Sequence, residues 1–161
     1  MLPFFTLLSV LALTGADQLI KYIVTEKLRD SAPLFLIPHV LQLHYTENDG
    51  AMMGLLQGKT TLMAVLALAV FAVLLYLVFS KKIRFGLVYC CLAGILAGGL
   101  GNLLDRIFRG FVVDYIEVLF VKFYIFNFAD CLITVGAFLI IFYEMYELIR
   151  DSRRKKEEAH G

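Results

Sequence analysis

Two aspartates in apolar surroundings carry the chemical interest of this sequence. Asp114 lies in Phe111-Val112-Val113-Asp114-Tyr115-Ile116-Glu117-Val118, and Asp130 follows Phe126-Asn127-Phe128-Ala129. Neither has a basic residue within a few positions. Two carboxylates that converge without a fixed cation do not both ionise easily, so one keeps a proton while the other is charged. The charged member can take a proton from water as it attacks a carbonyl, and the protonated member can donate to the carbonyl oxygen. That is the chemistry of an aspartic peptidase. Spacing alone does not bring the two together.

The other polar residues near apolar runs are few. Asp17 and Lys21 are four apart on one helix face and can pair. Either a structural ion pair or a direct role fits them. Asp105 and Arg106 stand where an apolar run ends, and Arg106 suits an anchor to a neighbouring loop or headgroup. Asn102 and Asn127 carry amides that donate and accept, so they can orient other polar groups or simply tie helices together. Ionisable groups at membrane depth are costly and point by default to function.

Competing chemistries find little support. There is no H-E-x-x-H or H-x-x-E-H to hold zinc, and no metal site is expected. His39 and His44 lie outside the apolar runs and His160 near the end of the chain, and no Ser or Cys sits with a His at membrane depth. Cys90, Cys91 and Cys131 are odd in number and all lie inside apolar runs, which suits small buried hydrophobes better than disulfides. With a net charge of +1, nothing argues for nucleic acid.

The elements that position these residues follow from composition. Of 161 residues, 60% are hydrophobic and 18% charged, with a mean hydropathy of +0.80. The apolar excess is concentrated in four runs, at about 3–24, 60–79, 85–104 and 126–149. Each has about 20 residues, enough to cross roughly 30 Å of hydrocarbon as a helix. The first lacks the basic n-region and A-x-A site of a cleaved signal peptide and is expected to be retained. The loop Lys81-Lys82-Ile83-Arg84 and the tail from Arg150 to Lys156 are basic, so both are expected in the cytoplasm together with both termini. Segments 25–59 and 105–125 then lie outside. Leu41 to Thr46 alternates apolar and polar, and Phe111 to Val118 favours extended chain, so a small outer sheet is expected. Asn48-Asp49-Gly50 reads as a turn. Gly94, Ala97, Gly98 and Gly101 form a small-residue stripe suited to close helix packing. The expectation is one domain over residues 1–161: four transmembrane helices bearing a small outer sheet.

These motifs resemble the bacterial lipoprotein signal peptidase (signal peptidase II) family from Asp17 to Ile133. Asp17-Gln18-Leu19-Ile20-Lys21, Asn48-Asp49-Gly50-Ala51, Gly98 to Arg106, Val112-Val113-Asp114-Tyr115 and Phe126-Asn127-Phe128-Ala129-Asp130 match its five motifs in order and spacing. The resemblance implies an intramembrane aspartic endopeptidase with Asp114 and Asp130 as catalytic dyad. Asn48, Asn102, Arg106 and Asn127 would line or order the site, and Asp17, Lys21, Gly50 and Asp105, in the same motifs, would support it. The implied substrate is a diacylglyceryl-modified prolipoprotein, cut just before the lipidated cysteine. No cofactor is implied. Membrane lipids are the expected surroundings, a monomer the expected state, and the outer side of the bacterial cytoplasmic membrane the expected place of the active site. Met52-Met53 departs from the alanine or aromatic common in the family.

A rival reading is a small proton-coupled transporter or channel subunit using the aspartates as relays. It predicts charges spread through the membrane depth, whereas the two central runs are clean except at one end. The apolar stretch Ala51, Met52, Met53, Leu55 and Leu56 is expected either to cover the dyad as a mobile lid or to anchor the outer segment in the headgroups.

Overall fold

The computed structural model describes residues 2–50, 59–80, 83, 85–121 and 124–160. The apolar stretch expected either to cover the dyad or to anchor in the headgroups, Ala51 to Leu56, lies outside the described residues, as do Lys81, Lys82 and Arg84 of the basic loop. Four helices are long and apolar enough to cross a membrane. They are α1 (Leu2–Leu28), α2 (Thr60–Phe79), α3 (Leu87–Phe108) and α4 (Phe128–His160). Three strands, β1 (Leu34–Ile37), β2 (Leu41–Asn48) and β3 (Val112–Val118), form one antiparallel sheet in the order β1-β2-β3. The fold is an all-α membrane protein with a small sheet at one end of its bundle.

The helices run past the apolar sequence that marks them. A helix continues while its backbone bonds are made and its polar side chains find partners, so α1 reaches Leu28 and α4 carries its basic tail to His160. Asp105 and Arg106, expected at the start of an outer segment, lie instead in the last turn of α3.

Helix α3 is the hub, packing against α1, α2 and α4. Its small residues make this possible. Ala97 and Ala129 are fully buried where α3 meets α4. A Cβ on Gly98 would strike the backbone oxygen of Ala129, and one on Gly101 would strike the Asp17 carboxylate. Gly94 faces open space, so the stripe read from the sequence is only partly a packing seam; Gly99, beside the stripe, also meets nothing. Gly136 on α4, not singled out in the sequence, fits tightly against Ile95. Thr6 and Thr14 add hydrogen bonds from α1 to Tyr89 (2.8 Å) and to the Ala97 carbonyl (3.1 Å) of α3. By contrast α2 is apolar all round and buries only Val78 fully, as suits a helix with one face on α3 and the rest toward lipid. Cys90 is also exposed, whereas Cys91 is buried, and all three cysteines are free.

The sheet has one feature that matters for the site. Leu41, Gln42 and Leu43 pair with Val118, Glu117 and Ile116, but beyond Leu43 the register shifts and Thr46 pairs with Asp114. The extra residue in β2 is a bulge. Side chains alternate along a strand, so the bulge puts Thr46 and Asn48 on the face that carries Asp114. Without it Glu47 would share that face, setting a like charge beside Asp114. Instead Glu47 pairs with Arg29 at 3.0 Å. Strand β1 was not foreseen, because Leu-Phe-Leu-Ile shows no alternation and all four residues are exposed.

Candidate active site

The start of α4 is built from the sequence motif around Asn127. Its side-chain Oδ1 accepts the Asp130 backbone N–H at 2.9 Å, while the Asp130 carboxylate accepts the Asn127 backbone N–H at 3.2 Å. This is a reciprocal capping box, with Asn127 as N-cap and Asp130 at the third helical position. The two remaining N–H groups of the first turn are also satisfied. Phe128 donates to the Tyr115 hydroxyl (3.2 Å) and Ala129 to Asp17 Oδ1 (3.0 Å). Burial pushes the Tyr115 phenol well above its usual range, against the pull of the Phe128 N–H on its oxygen. Two carboxylates, Asp17 and Asp130, thus meet the positive end of the α4 dipole.

Asn127 also joins the two candidate catalytic residues. Its Nδ2 donates to Asp114 Oδ1 at 2.7 Å. The other Asp114 oxygen accepts from Asn48 Nδ2 at 2.8 Å, and Asn48 is held by the Gly50 N–H on its Oδ1 (3.1 Å), closing the turn read at Asn48-Asp49-Gly50. Asp130 Oδ1 accepts from Asn102 Nδ2 at 2.8 Å. Each carboxylate therefore receives two N–H donors, and Asn127 serves both. Burial pushes the Asp114 carboxyl up to about 6. The Asn48 and Asn127 amides pull against that rise and the nearby Asp130 adds to it.

The view of the pair as lacking a cation is corrected. Lys21 and Arg106 are remote in sequence but close enough in space to act on the aspartates, Lys21 on Asp114 and Arg106 on both. Arg106 reaches from α3 to the Gly50 carbonyl (3.3 Å) and its own helix at Asn102 (3.4 Å), which is the loop anchor expected of it.

Behind the aspartates lies a buried ion cluster. Lys21 Nζ is fully buried and contacts Asp17 Oδ2, Asp105 Oδ2 and Asn102 Oδ1, each at 2.9 Å. Asp105 also bonds Arg109 and accepts the Val113 backbone N–H at 3.2 Å, while the Val113 carbonyl accepts from Asn127 at 3.3 Å. The strand that carries Asp114 is thereby clamped by side chains of α3 and of the α4 cap. Gln18, Arg109, Val113, Tyr115 and Ala129 were not assigned roles from the sequence. Gln18, Val113, Tyr115 and Ala129 lie inside the quoted motifs, and Arg109 follows Asp105 at helical spacing. No buried side-chain polar atom lacks a partner among the described residues. No group of three or more His, Cys, Asp or Glu side chains among them could hold a metal ion.

All ten singled-out residues, from Asp17 to Asp130, therefore fall in one hydrogen-bonded constellation at one end of the bundle.

Comparisons with known proteins agree with this architecture. The family model for signal peptidase (SPase) II matches residues 9–146. A lipoprotein signal peptidase of Lactobacillus johnsonii is 40% identical over 133 residues, covering 81% of this chain and 85% of that protein. The Clostridioides difficile counterpart is 37% identical over 141 residues, covering 87% and 94%. A solved bacterial membrane enzyme superposes with a TM-score of 0.81 at 31% identity over 89% of each chain. The chain belongs to the signal peptidase II family.

Proposed function

We propose that this protease is an aspartic endopeptidase that removes the signal peptide from diacylglyceryl-modified prolipoproteins, cutting just before the lipidated cysteine. The observation that carries the reading is the convergence of Asp114 and Asp130 on Asn127. One member of the pair holds a proton and donates it to the scissile carbonyl oxygen, and burial, which raises the Asp114 carboxyl to about 6, favours Asp114 for that part. Asp130 takes a proton from water as the water attacks the carbonyl carbon, and returns it to the leaving amine. Asn48, Asn102 and Asn127 hold both carboxylates in place through N–H donors. Arg106 and Gly50 fix the β2 turn beside Asp114, and Asp17, Lys21 and Asp105 tie the carrying elements together.

The membrane setting suits such a substrate. A lipidated signal peptide keeps its scissile bond near the headgroups, the level at which this polar constellation ends the bundle. The basic loop and tail support an orientation with both termini in the cytoplasm and the site on the outer side of the cytoplasmic membrane. The one-sided placement of polar residues, together with the family, disfavours a transporter.

The test is cleavage of a diacylated prolipoprotein by the purified protein. Asp114→Asn and Asp130→Asn are each expected to lower kcat by about a thousandfold or more, with the double variant no worse than either single, because members of a catalytic unit are not additive. The unlipidated precursor is expected to be cut far more slowly, since each buried methylene contributes about 0.8 kcal/mol to binding. Substantial activity in either single variant would remove that aspartate from the mechanism.

A further inference from the structure

Lys21 is fully buried, yet it touches neither Asp114 nor Asp130 directly. Its ammonium has three protons and three acceptors, the carboxylates of Asp17 and Asp105 and the Oδ1 of Asn102. Charge balance within the cluster accounts for the first two. The third bond goes to the residue that supports Asp130.

We infer that Lys21 is a positioning residue for the cleavage reaction, whose ammonium fixes the Asn102 amide so that Nδ2 rather than Oδ1 faces Asp130. The inference rests on the reading of Asp114 and Asp130 as the reacting pair. An asparagine amide turned by half a circle exchanges its donor and acceptor with little change of shape, so something must choose between the two states. Here Asn102 Oδ1 accepts from Lys21 Nζ at 2.9 Å and from Asn127 Nδ2 at 3.1 Å, leaving Nδ2 for Asp130 Oδ1 at 2.8 Å. The turned amide would set its NH2 against an ammonium and a second amide NH2, and its oxygen against the Asp130 carboxylate. Around a buried amide those contacts are costly.

Asn127 does not make this choice as strongly. Its Nδ2 also serves Asp114 Oδ1 and the Val113 carbonyl, and its Oδ1 is held by the Asp130 N–H. Its two amide hydrogens are divided among three acceptors, so the bond it gives Asn102 is a shared one. Lys21, which can only donate, imposes polarity on Asn102, and through it a permanent N–H donor on Asp130. The carboxylate is then held in one orientation as a proton acceptor.

The alternative is that Lys21 only neutralises Asp17 and Asp105. A double-mutant cycle on the purified full-length enzyme separates the two. Lys21→Met combined with Asp17→Asn removes one charge of each sign. The amide oxygen that replaces the Asp17 carboxylate can still accept the Ala129 N–H, and Asp105 keeps Arg109, Gln18 and Val113 as partners. With a diacylated prolipoprotein as substrate, this pair is expected to lower kcat about 10- to 100-fold with KM changed less than about threefold. Asn102→Ala is expected to lose at least as much, and adding the Lys21/Asp17 changes to it should cost no more than about a further twofold. Losses that multiply, or a folded Lys21→Met/Asp17→Asn enzyme with unchanged kcat, would overturn the inference.

If that pair does not fold, Asn102→Asp decides. It keeps an oxygen for Lys21 and Asn127 and leaves the lysine no fewer counter-ions, but adds a carboxylate and has no NH2 for Asp130. A kcat near that of Asn102→Ala shows that Asp130 needs the donor that Lys21 selects and supports the positioning role, and an undiminished kcat refutes it. Asp130→Asn is measured in parallel. An active Asp130→Asn enzyme would refute the dyad and this inference together. An inactive one beside a fast Lys21→Met/Asp17→Asn enzyme would refute only the role of Lys21.

Discussion

At the scale of residues, Asp114 shows how burial and donors compete. Its carboxyl is 2% exposed, and two amide N–H groups stabilise its anion, yet burial wins and its value rises from 3.8 to about 6. The folded protein therefore binds the Asp114 proton more tightly than the unfolded chain does. This contribution to stability is fully present below about pH 4 and is lost as pH rises through about 6. The gap is worth on the order of 3 kcal/mol. Asp114→Asn cannot ionise and should lack this dependence. Chemical unfolding in detergent micelles from pH 4 to 7.5 should show the stability of Asp114→Asn relative to wild type rising by that order across the window. A difference independent of pH would show that Asp114 titrates near its ordinary value. The variant should carry a separate, pH-independent cost. Both Asp114 oxygens face NH2 groups whose own oxygens are already bonded, so an asparagine must set donor against donor.

At the scale of elements, the site depends on how closely α3 approaches α1 and α4. Gly98 and Gly101 allow Ala129 and Asp17 to reach positions that a side chain would occupy. Gly98→Ala and Gly101→Ala are expected to destabilise by about 1–3 kcal/mol, as overpacking does. Both should also cut cleavage, because Asp17 caps α4 and Ala129 precedes Asp130. Gly94→Ala and Gly99→Ala meet open space and should be neutral or stabilising by up to about 1 kcal/mol, the gain of alanine over glycine in a helix. Thermal unfolding of the four variants side by side checks this. Similar losses at all four would mean that these glycines act through something other than close approach. The β2 bulge is a second device at this scale. It selects Asn48 over Glu47 as the neighbour of Asp114 through strand alternation alone.

At the scale of the whole molecule, the arrangement is one-sided. The ion cluster, the α4 cap, the sheet and both aspartates share one end of the bundle, while α2 offers lipid an uncharged surface. The basic tail on α4 belongs to the opposite end. The positive-inside bias then predicts an outer active site. With the native cysteines replaced by alanine, Asp30→Cys should react with a membrane-impermeant maleimide on intact cells. Ser152→Cys should react only after permeabilisation. The reverse pattern would invert the topology and place the site in the cytoplasm.

Much of this molecule was legible in its sequence because two constraints are one-dimensional. Hydrocarbon demands about 20 apolar residues per crossing, so the four helices could be counted. Intramembrane polar groups are expensive enough that the few present, from Asp17 to Asp130, marked the candidate site. The motif order then identified the family. Other features depended on the third dimension. Lys21 and Arg106 lie far from the aspartates along the chain, so their approach to the pair appears only once α1 and α3 pack together. The bulge in β2, the strand β1 without alternation and the helical setting of Asp105 and Arg106 left no periodic trace. Above all, an amide looks the same in sequence whichever way it faces. Only the packed structure surrounds Asn48, Asn102 and Asn127 with partners that give each a direction, because a hydrogen bond's polarity is set by neighbours in space.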